Sequence, residues 1–226
     1  MDKQKRIRRI LAFVLITLLC LTVLYFTLDM PCFSAEMAMH REEAMHWVGP
    51  SRVIAEDEVD YFFTDHILIG ETDYGYTLFE YSEQSGWRFG ELNYHEKRDG
   101  VTCFTSDYSN DILLSYDGEH KTLPVYAIPE DAGAVTARLT LSACYTFRGE
   151  HYQEIVTAEA DLRQDTFFLF PVNVEELSVE VRGFWMQRIN GREYGNISIA
   201  GSLTVELFDR DGNLIETRVT EFPANP

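Results

Sequence analysis

Six histidines, four cysteines and 37 acidic residues are the groups from which a metal centre, a nucleophile or an acid–base pair could be built. The nearest approach to a metal motif is His40-Arg-Glu-Glu43-Ala-Met-His46. A zinc-protease helix uses H-E-x-x-H, because a spacing of four residues turns both imidazoles onto one ion. Here the histidines are six apart and diverge on a helix, so a solvated helix face is the favoured reading. His66, His95, His120 and His151 are scattered among turns and strand starts. Asp209-x-Asp211-Gly212-Asn213 opens like a calcium loop, but an EF-hand needs glycine at its sixth position and glutamate at its twelfth. Leu214 and Thr220 stand there, and Asp-Gly between two strands is a preferred tight turn. The runs Glu56-Asp57-Glu58 with Asp60, and Asp107 to Asn110-Asp111, read as solvating acidic loops. Weak calcium binding by such loops stays open; no metal ligand, cofactor-binding residue or catalytic residue is assigned.

Nucleophilic chemistry finds no motif. There is no G-x-S-x-G elbow, no S-x-x-K and no glycine-rich phosphate loop. Carboxylate pairs for glycoside hydrolysis stay open, because their separation decides the chemistry and the sequence does not give it. Tyr74, Tyr76, Trp87 and Tyr94 could stack on sugars, although Tyr and Trp in such runs more often serve strand formation. Cys20 lies in an apolar run, whereas Cys32, Cys103 and Cys144 follow it. Three cysteines in an oxidising compartment leave one unpaired. Cys144 falls on the polar face of its strand, where a core-filling cysteine would not. It therefore either pairs with Cys103 or sits where two β-units meet, and Cys103–Cys144 is the candidate disulfide.

These residues belong to an acidic body. The formal net charge is −18, and residues 1–28 hold five basic residues against one acid, so the remainder is four charges more negative, at −22. Nucleic-acid affinity comes from Lys and Arg neutralising phosphates, so this balance excludes nucleic acid as a partner. It also sets the body against anionic lipid surfaces. With 46% hydrophobic and 13% aromatic residues, the chain is too apolar for a disordered acidic tail.

Ile10–Leu28 contains no charge over 19 residues, enough for a helix of roughly 28 Å, which matches a bilayer's hydrocarbon core. Lys3, Lys5, Arg6, Arg8 and Arg9 precede it, while Asp29 and Glu36 follow. The positive-inside bias makes residues 1–9 a cytoplasmic tail, residues 10–28 a transmembrane helix and the rest extracytoplasmic. A cleaved signal, which would give a secreted protein, is the alternative. Its apolar core is usually about 7–15 residues, shorter than this run.

Beyond the span, residues 29–50 form a juxtamembrane segment. A short helix is expected from Ala35 to about Val48, with Met37, Ala38, Ala44, Met45 and Val48 on its apolar face and Gly49-Pro50 as its stop. Residues 51–130 read as a small antiparallel β meander, with strands near Arg52–Ala55, Ile67–Glu71, Tyr76–Tyr81, Trp87–Leu92, Ile112–Tyr116 and Thr122–Ile128. Residues 131–226 alternate apolar and polar. Val135, Ala137, Leu139, Leu141, Ala143, Tyr145 and Phe147 share one face, and a return strand follows from Tyr152 to Leu162. Phe167–Phe170, Leu177–Trp185, Ile197–Phe208 and Leu214–Thr220 complete an immunoglobulin- or fibronectin-like β-sandwich.

The segments PCFSAEMAM, VTARLTLSA, TFFLFPV and LFDRDGNLIET together resemble small membrane-tethered, β-rich proteins of Gram-positive bacteria. That resemblance implies topology and fold and carries no known activity. The expectation is a mainly β, single-pass, membrane-anchored extracytoplasmic protein acting as a non-enzymatic accessory or interaction module of the cell envelope, with an envelope protein as partner. The alternative is a surface hydrolase or carbohydrate-binding protein using a cleft of carboxylates and aromatics.

Overall fold

The computed structural model describes residues 3–27, 32–61, 64–82, 90–105, 122–130, 133–175, 177–193 and 199–224. Trp87, the expected strand Ile112–Tyr116, the acidic loop 107–111 and His120 lie outside them. The apolar run forms helix α1 (Lys3–Thr27), which over Arg6–Leu24 is long and apolar enough to cross a membrane. Its side chains there are exposed, unlike those of a core helix. Thr17 and Thr22 donate their hydroxyls to the carbonyls of Phe13 and Leu18, both at 2.9 Å, so neither is left polar and unpaired in the span.

The remainder is mainly β. Strands β1 (Arg52–Tyr61), β2 (Thr64–Glu71), β3 (Gly75–Tyr81) and β4 (Glu91–Glu96) form an antiparallel meander in chain order. Strands β5 (Val101–Thr105), β6 (Thr122–Pro129), β7 (Thr136–Phe147), β8 (Glu150–Arg163), β9 (Phe167–Asn173), β10 (Ile199–Phe208) and β11 (Leu214–Phe222) form a second sheet in the order β11-β10-β7-β8-β9-β6-β5. The two sheets make a sandwich that approaches a barrel. The pairing of β6 with β9 carries β5 and β6 into the larger sheet, so hydrogen bonding runs across residue 130.

Burial explains why β5, β6 and β9 read as apolar runs. Val101, Cys103, Leu123, Val125, Ala127, Phe168, Phe170 and Val172 face a core shared with β7 and β10. The alternate residues Phe104, Tyr126, Ile128, Phe167 and Leu169 face the meander. Strands covered on both sides lose the polar half of their alternation. β7 and β8 keep it, because one of their faces is wet. Phe147, which the alternation places on the core face of β7, is 55% exposed. It stands at the hairpin end, past Tyr145, where β10 begins opposite at Ile199.

The segment expected as strand Leu177–Trp185 is instead helical, α3 (Val179–Ile189). Ser178 caps it, its hydroxyl accepting from the Val181 amide at 3.4 Å. In a strand, adjacent Phe184 and Trp185 would point to opposite faces. The helix buries both, together with Val181, Met186 and Ile189, in the larger sheet's core.

Helix α2 (Ala35–Met45) also departs from expectation in the face it buries. Ala35, Ala38 and Met39 pack on Leu68, Phe79 and Tyr81 of the meander. Met37 and Met45, expected inside, are 41% and 46% exposed, while Glu43 is fully buried. The helix is rotated so that a polar contact, described below, goes inward.

Trp185→Ala should therefore cost about 3–5 kcal/mol, whereas Phe147→Ala on β7 should stay within about 0.5 kcal/mol. Urea unfolding of both variants checks the contrast.

Candidate functional site

At the C-terminal end of α2 the chain passes through Trp47, Val48, Gly49 and Pro50 into β1. These residues, with Arg52, Glu71, the β2–β3 turn Thr72–Tyr74, Tyr94 and Lys97, line an open cleft of about 720 Å³. Three aromatic rings and four charged side chains meet there.

Glu43 sets the position of one wall. Its Oε1 accepts from the Thr77 hydroxyl at 3.0 Å, and its Oε2 accepts from the Ser51 amide at 3.2 Å and lies 2.7 Å from His40 Nδ1. Thr77 Oγ1 and Ser51 Oγ are 3.0 Å apart. One carboxyl group thus joins α2 to the start of β1 and the middle of β3. Gly70 on β2 makes room for this cluster: a Cβ there would lie 1.9 Å from Ser51 Oγ and 2.5 Å from Thr77 Oγ1.

The Glu43 carbonyl also accepts from the Val48 amide at 2.9 Å. That bond closes the helix end around Trp47, whose φ is +60°. The left-handed position after a helix usually belongs to glycine, and a side chain there costs about 1–2 kcal/mol. Trp47 is moreover 94% exposed, so its indole adds almost nothing to the core.

The opposite wall is the β2–β3 turn. The Thr72 amide and hydroxyl both bond to the Gly75 carbonyl, at 2.9 and 3.0 Å, and the Lys97 amide donates to the Tyr74 carbonyl at 2.9 Å. Tyr74 projects from this braced turn at 79% exposure, and Tyr94 is 40% exposed. A Cβ at Gly75 would approach the Tyr94 hydroxyl to 2.6 Å and the His95 carbonyl to 2.4 Å, so glycine lets the Tyr94 ring close over the turn.

At the base, Glu71 bridges two cations: Lys97 Nζ lies 2.8 Å from one oxygen and an Arg52 guanidinium nitrogen 2.6 Å from the other. The Lys97 bond first, and then the Arg52 bond, hold the Glu71 carboxyl below the usual carboxylate range. Lys97 is raised in turn, chiefly by its bond to Glu71, and its ammonium lies 5.2 Å from the centre of the Tyr76 ring. Burial raises the Tyr76 phenol. With Asp73 at the rim, Arg52 and Lys97 face Glu71 and Asp73, and the formal charges cancel.

The residues singled out in the sequence are distributed as follows. Tyr74 and Tyr94 meet in the cleft, Tyr76 is buried beneath Lys97, and Trp87 is outside the described residues. Cys103 is buried on the inner face of β5 and Cys144 is exposed on the outer face of β7, so they face opposite sides of the larger sheet, and both are free thiols. Burial pushes the Cys103 thiol up to about 12. His40 and Glu43 do not form a solvated face: Glu43 carries the buried contact just described. The Asp209 carboxylate accepts from the Asp211 and Asn213 amides and the Asn213 side chain at 2.9–3.0 Å, inside a β10–β11 hairpin turn. Those bonds, led by the ones from Asn213, hold the Asp209 carboxyl below the usual carboxylate range. Asp57 is paired with Arg163 at 2.6 Å, and Glu56 accepts from the Tyr81 hydroxyl at 3.0 Å. Among the described residues, no group of three His, Cys, Asp or Glu converges to hold a metal.

Trp47, Arg52, Glu71 and Lys97 were not distinguished by their spacing. A tryptophan wedged between a helix and a Gly-Pro stop was the available signal, since a core-seeking ring gains little there. Comparison with known proteins finds no family model and no curated protein that matches this chain.

Two measurements check this geometry. Glu43→Ala strands the Ser51 amide, worth about 1–3 kcal/mol when buried and unpaired, and leaves the Thr77 hydroxyl only the Ser51 hydroxyl as acceptor. The variant should unfold at lower denaturant with its α2 amides exchanging faster. Glu71 titrates lower folded than unfolded, so its pairing stabilises the fold above the ordinary carboxylate range and is lost as pH falls through the lowered value. Carboxyl carbon NMR should show a depressed Glu71 midpoint, and Lys97→Met should raise it more than Arg52→Met does.

Proposed function

We propose that this chain is a single-pass membrane protein, held by α1 with its N-terminus cytoplasmic, whose β-rich body works outside the cytoplasm as a non-enzymatic interaction module of the cell envelope. The observation that carries the reading is α1 itself: an apolar helix with exposed side chains, separate from cores that are complete without it. A helix of this kind needs an apolar solvent, and the five basic residues at its N-terminal end favour the cytoplasmic side.

The cleft supports binding rather than bond cleavage. A glycosidase needs one carboxyl that stays protonated near neutral pH to act as the acid. Glu71 is held in the opposite sense by Lys97 and Arg52, and Asp73 is an exposed turn residue. The acidic body meanwhile keeps the module soluble and apart from anionic surfaces.

The free thiols test the topology. Cys144 is exposed, while Cys103 and Cys32 are buried, and reaction needs an accessible thiolate. A membrane-impermeant maleimide should label intact cells once per chain, and Cys144→Ser should abolish that labelling. The protein should stay in the membrane pellet after alkaline carbonate. Labelling only after lysis would overturn the orientation, and release into the carbonate supernatant would overturn the anchor.

A further inference from the structure

We propose that the cleft between the end of α2 and the β2–β3 turn is a binding site for an uncharged saccharide, with Trp47 as its stacking platform. The proposal rests on the reading of the body as an interaction module and names the ligand class of that module.

The first argument concerns Trp47. Its backbone is left-handed, at φ +60°, in a position that glycine occupies more easily, and its indole is 94% exposed. Both features oppose folding: the backbone is strained, and a large apolar ring stays in water. Strained residues that return nothing to the fold cluster at functional sites. The helix end needs only a residue that tolerates this φ, and glycine would satisfy it. What tryptophan adds is a flat apolar face presented to the cleft.

The second argument is the lining. Tyr74 and Tyr94 supply two further rings, and Arg52, Lys97, Glu71, Asp73 and Thr72 supply donors and acceptors between them. A pyranose ring has the matching division, an apolar face of C–H groups and a rim of hydroxyls. Each hydroxyl both donates and accepts, and so suits a site where cations and carboxylates alternate. The volume, about 720 Å³, falls within the usual roughly 300–1,000 Å³ of small-ligand sites.

The third argument selects charge and excludes a flat surface. The two cations of the cleft are both tied to Glu71, and Asp73 offsets the remaining charge. A strongly anionic ligand would meet no surplus of positive charge, and the −22 body would repel it. Trp, Tyr, Lys and Arg also mark membrane interfaces, but a planar bilayer cannot fill a concave site with two carboxylates in its wall.

The test uses the full chain in a detergent without a sugar head group, titrated with maltotetraose, cellotetraose and chitotetraose and followed by calorimetry and indole fluorescence. At least one should bind saturably and shift the emission. Trp47→Gly should weaken that binding about ten-fold or more while leaving Tm unchanged or higher, because glycine relieves the backbone. Tyr74→Ala should weaken it as well. Phe33→Ala, which removes another exposed ring (89% exposed) outside the cleft, should leave it unaltered. No binding of any of the three up to ~10 mM, where even a weak site would register, would overturn the proposal. So would equal losses in the Trp47 and Phe33 variants. None of these outcomes touches the Cys144 labelling, so the saccharide site and the membrane topology stand or fall separately.

Discussion

The Glu43 carboxyl group holds together the part of the molecule that offers a site. It is fully buried, and its two oxygens take up the backbone amide of Ser51 just before β1, a hydroxyl from β3 and a ring nitrogen of its own helix. Burying such a group is favourable only when its hydrogen-bonding capacity is met. The requirement is directional, which apolar contact is not. Ala38 and Met39 could pack against the meander over a range of helix rotations, but Glu43 reaches Ser51 and Thr77 in one. That rotation turns Met37 and Met45 outward and sends the helix end, with Trp47, to the side where Arg52 leaves for β1.

The cleft inherits its shape from this constraint and from the meander's register. Glu71 pairs across to Arg52 on β1 and to Tyr76 on β3, so its side chain stands beside Arg52 and within reach of Lys97, which follows β4 and lies over the Tyr76 ring. The Thr72–Gly75 turn brings Tyr74 out, and the β3–β4 pairing of Gly75 with Glu96 brings Tyr94 alongside. The wall is thus a consequence of antiparallel pairing, with Gly70 and Gly75 admitting contacts that a Cβ would block.

The sequence made the fold class legible because period two is a direct record of a sheet with one wet face. Val135 to Phe147 shows it, and β7 lies there. Where burial is two-sided the record is lost: Val101–Thr105 reads as neither helix nor alternating strand, and β5 went unseen although it carries Cys103. Leu177–Trp185 failed for the complementary reason. Leu177, Val179 and Val181 alternate, but Val181, Phe184, Trp185 and Ile189 also fit a helical stripe, and the Ser178 cap was the deciding signal. The site was less legible still. Tyr74 and Tyr94 could be named as exposed aromatics, yet their meeting with Trp47 depends on which face of α2 is buried. Hydrophobicity points to Met37 and Met45, and the buried acid overrides it.

The proposed tether would limit what the cleft can meet. From Thr27 to Ala35 the chain takes eight steps, at most on the order of 30 Å when extended. Helix α2 adds 11 residues, roughly 16 Å. Two further residues lead from Met45 to Trp47, so with α1 in a bilayer Trp47 would stay within about 55 Å of the helix end, whatever the angle between anchor and body. On that reading, a ligand reaching the cleft lies in the layer next to the membrane. Confinement raises the effective concentration of such a ligand without any added contact. A shallow site with three rings and a balanced set of charges would then need less intrinsic affinity than the same site on a soluble protein. The strong acidity of the body would act alongside this, repelling anionic surfaces while the charge-balanced cleft presents no such barrier to the proposed uncharged ligand.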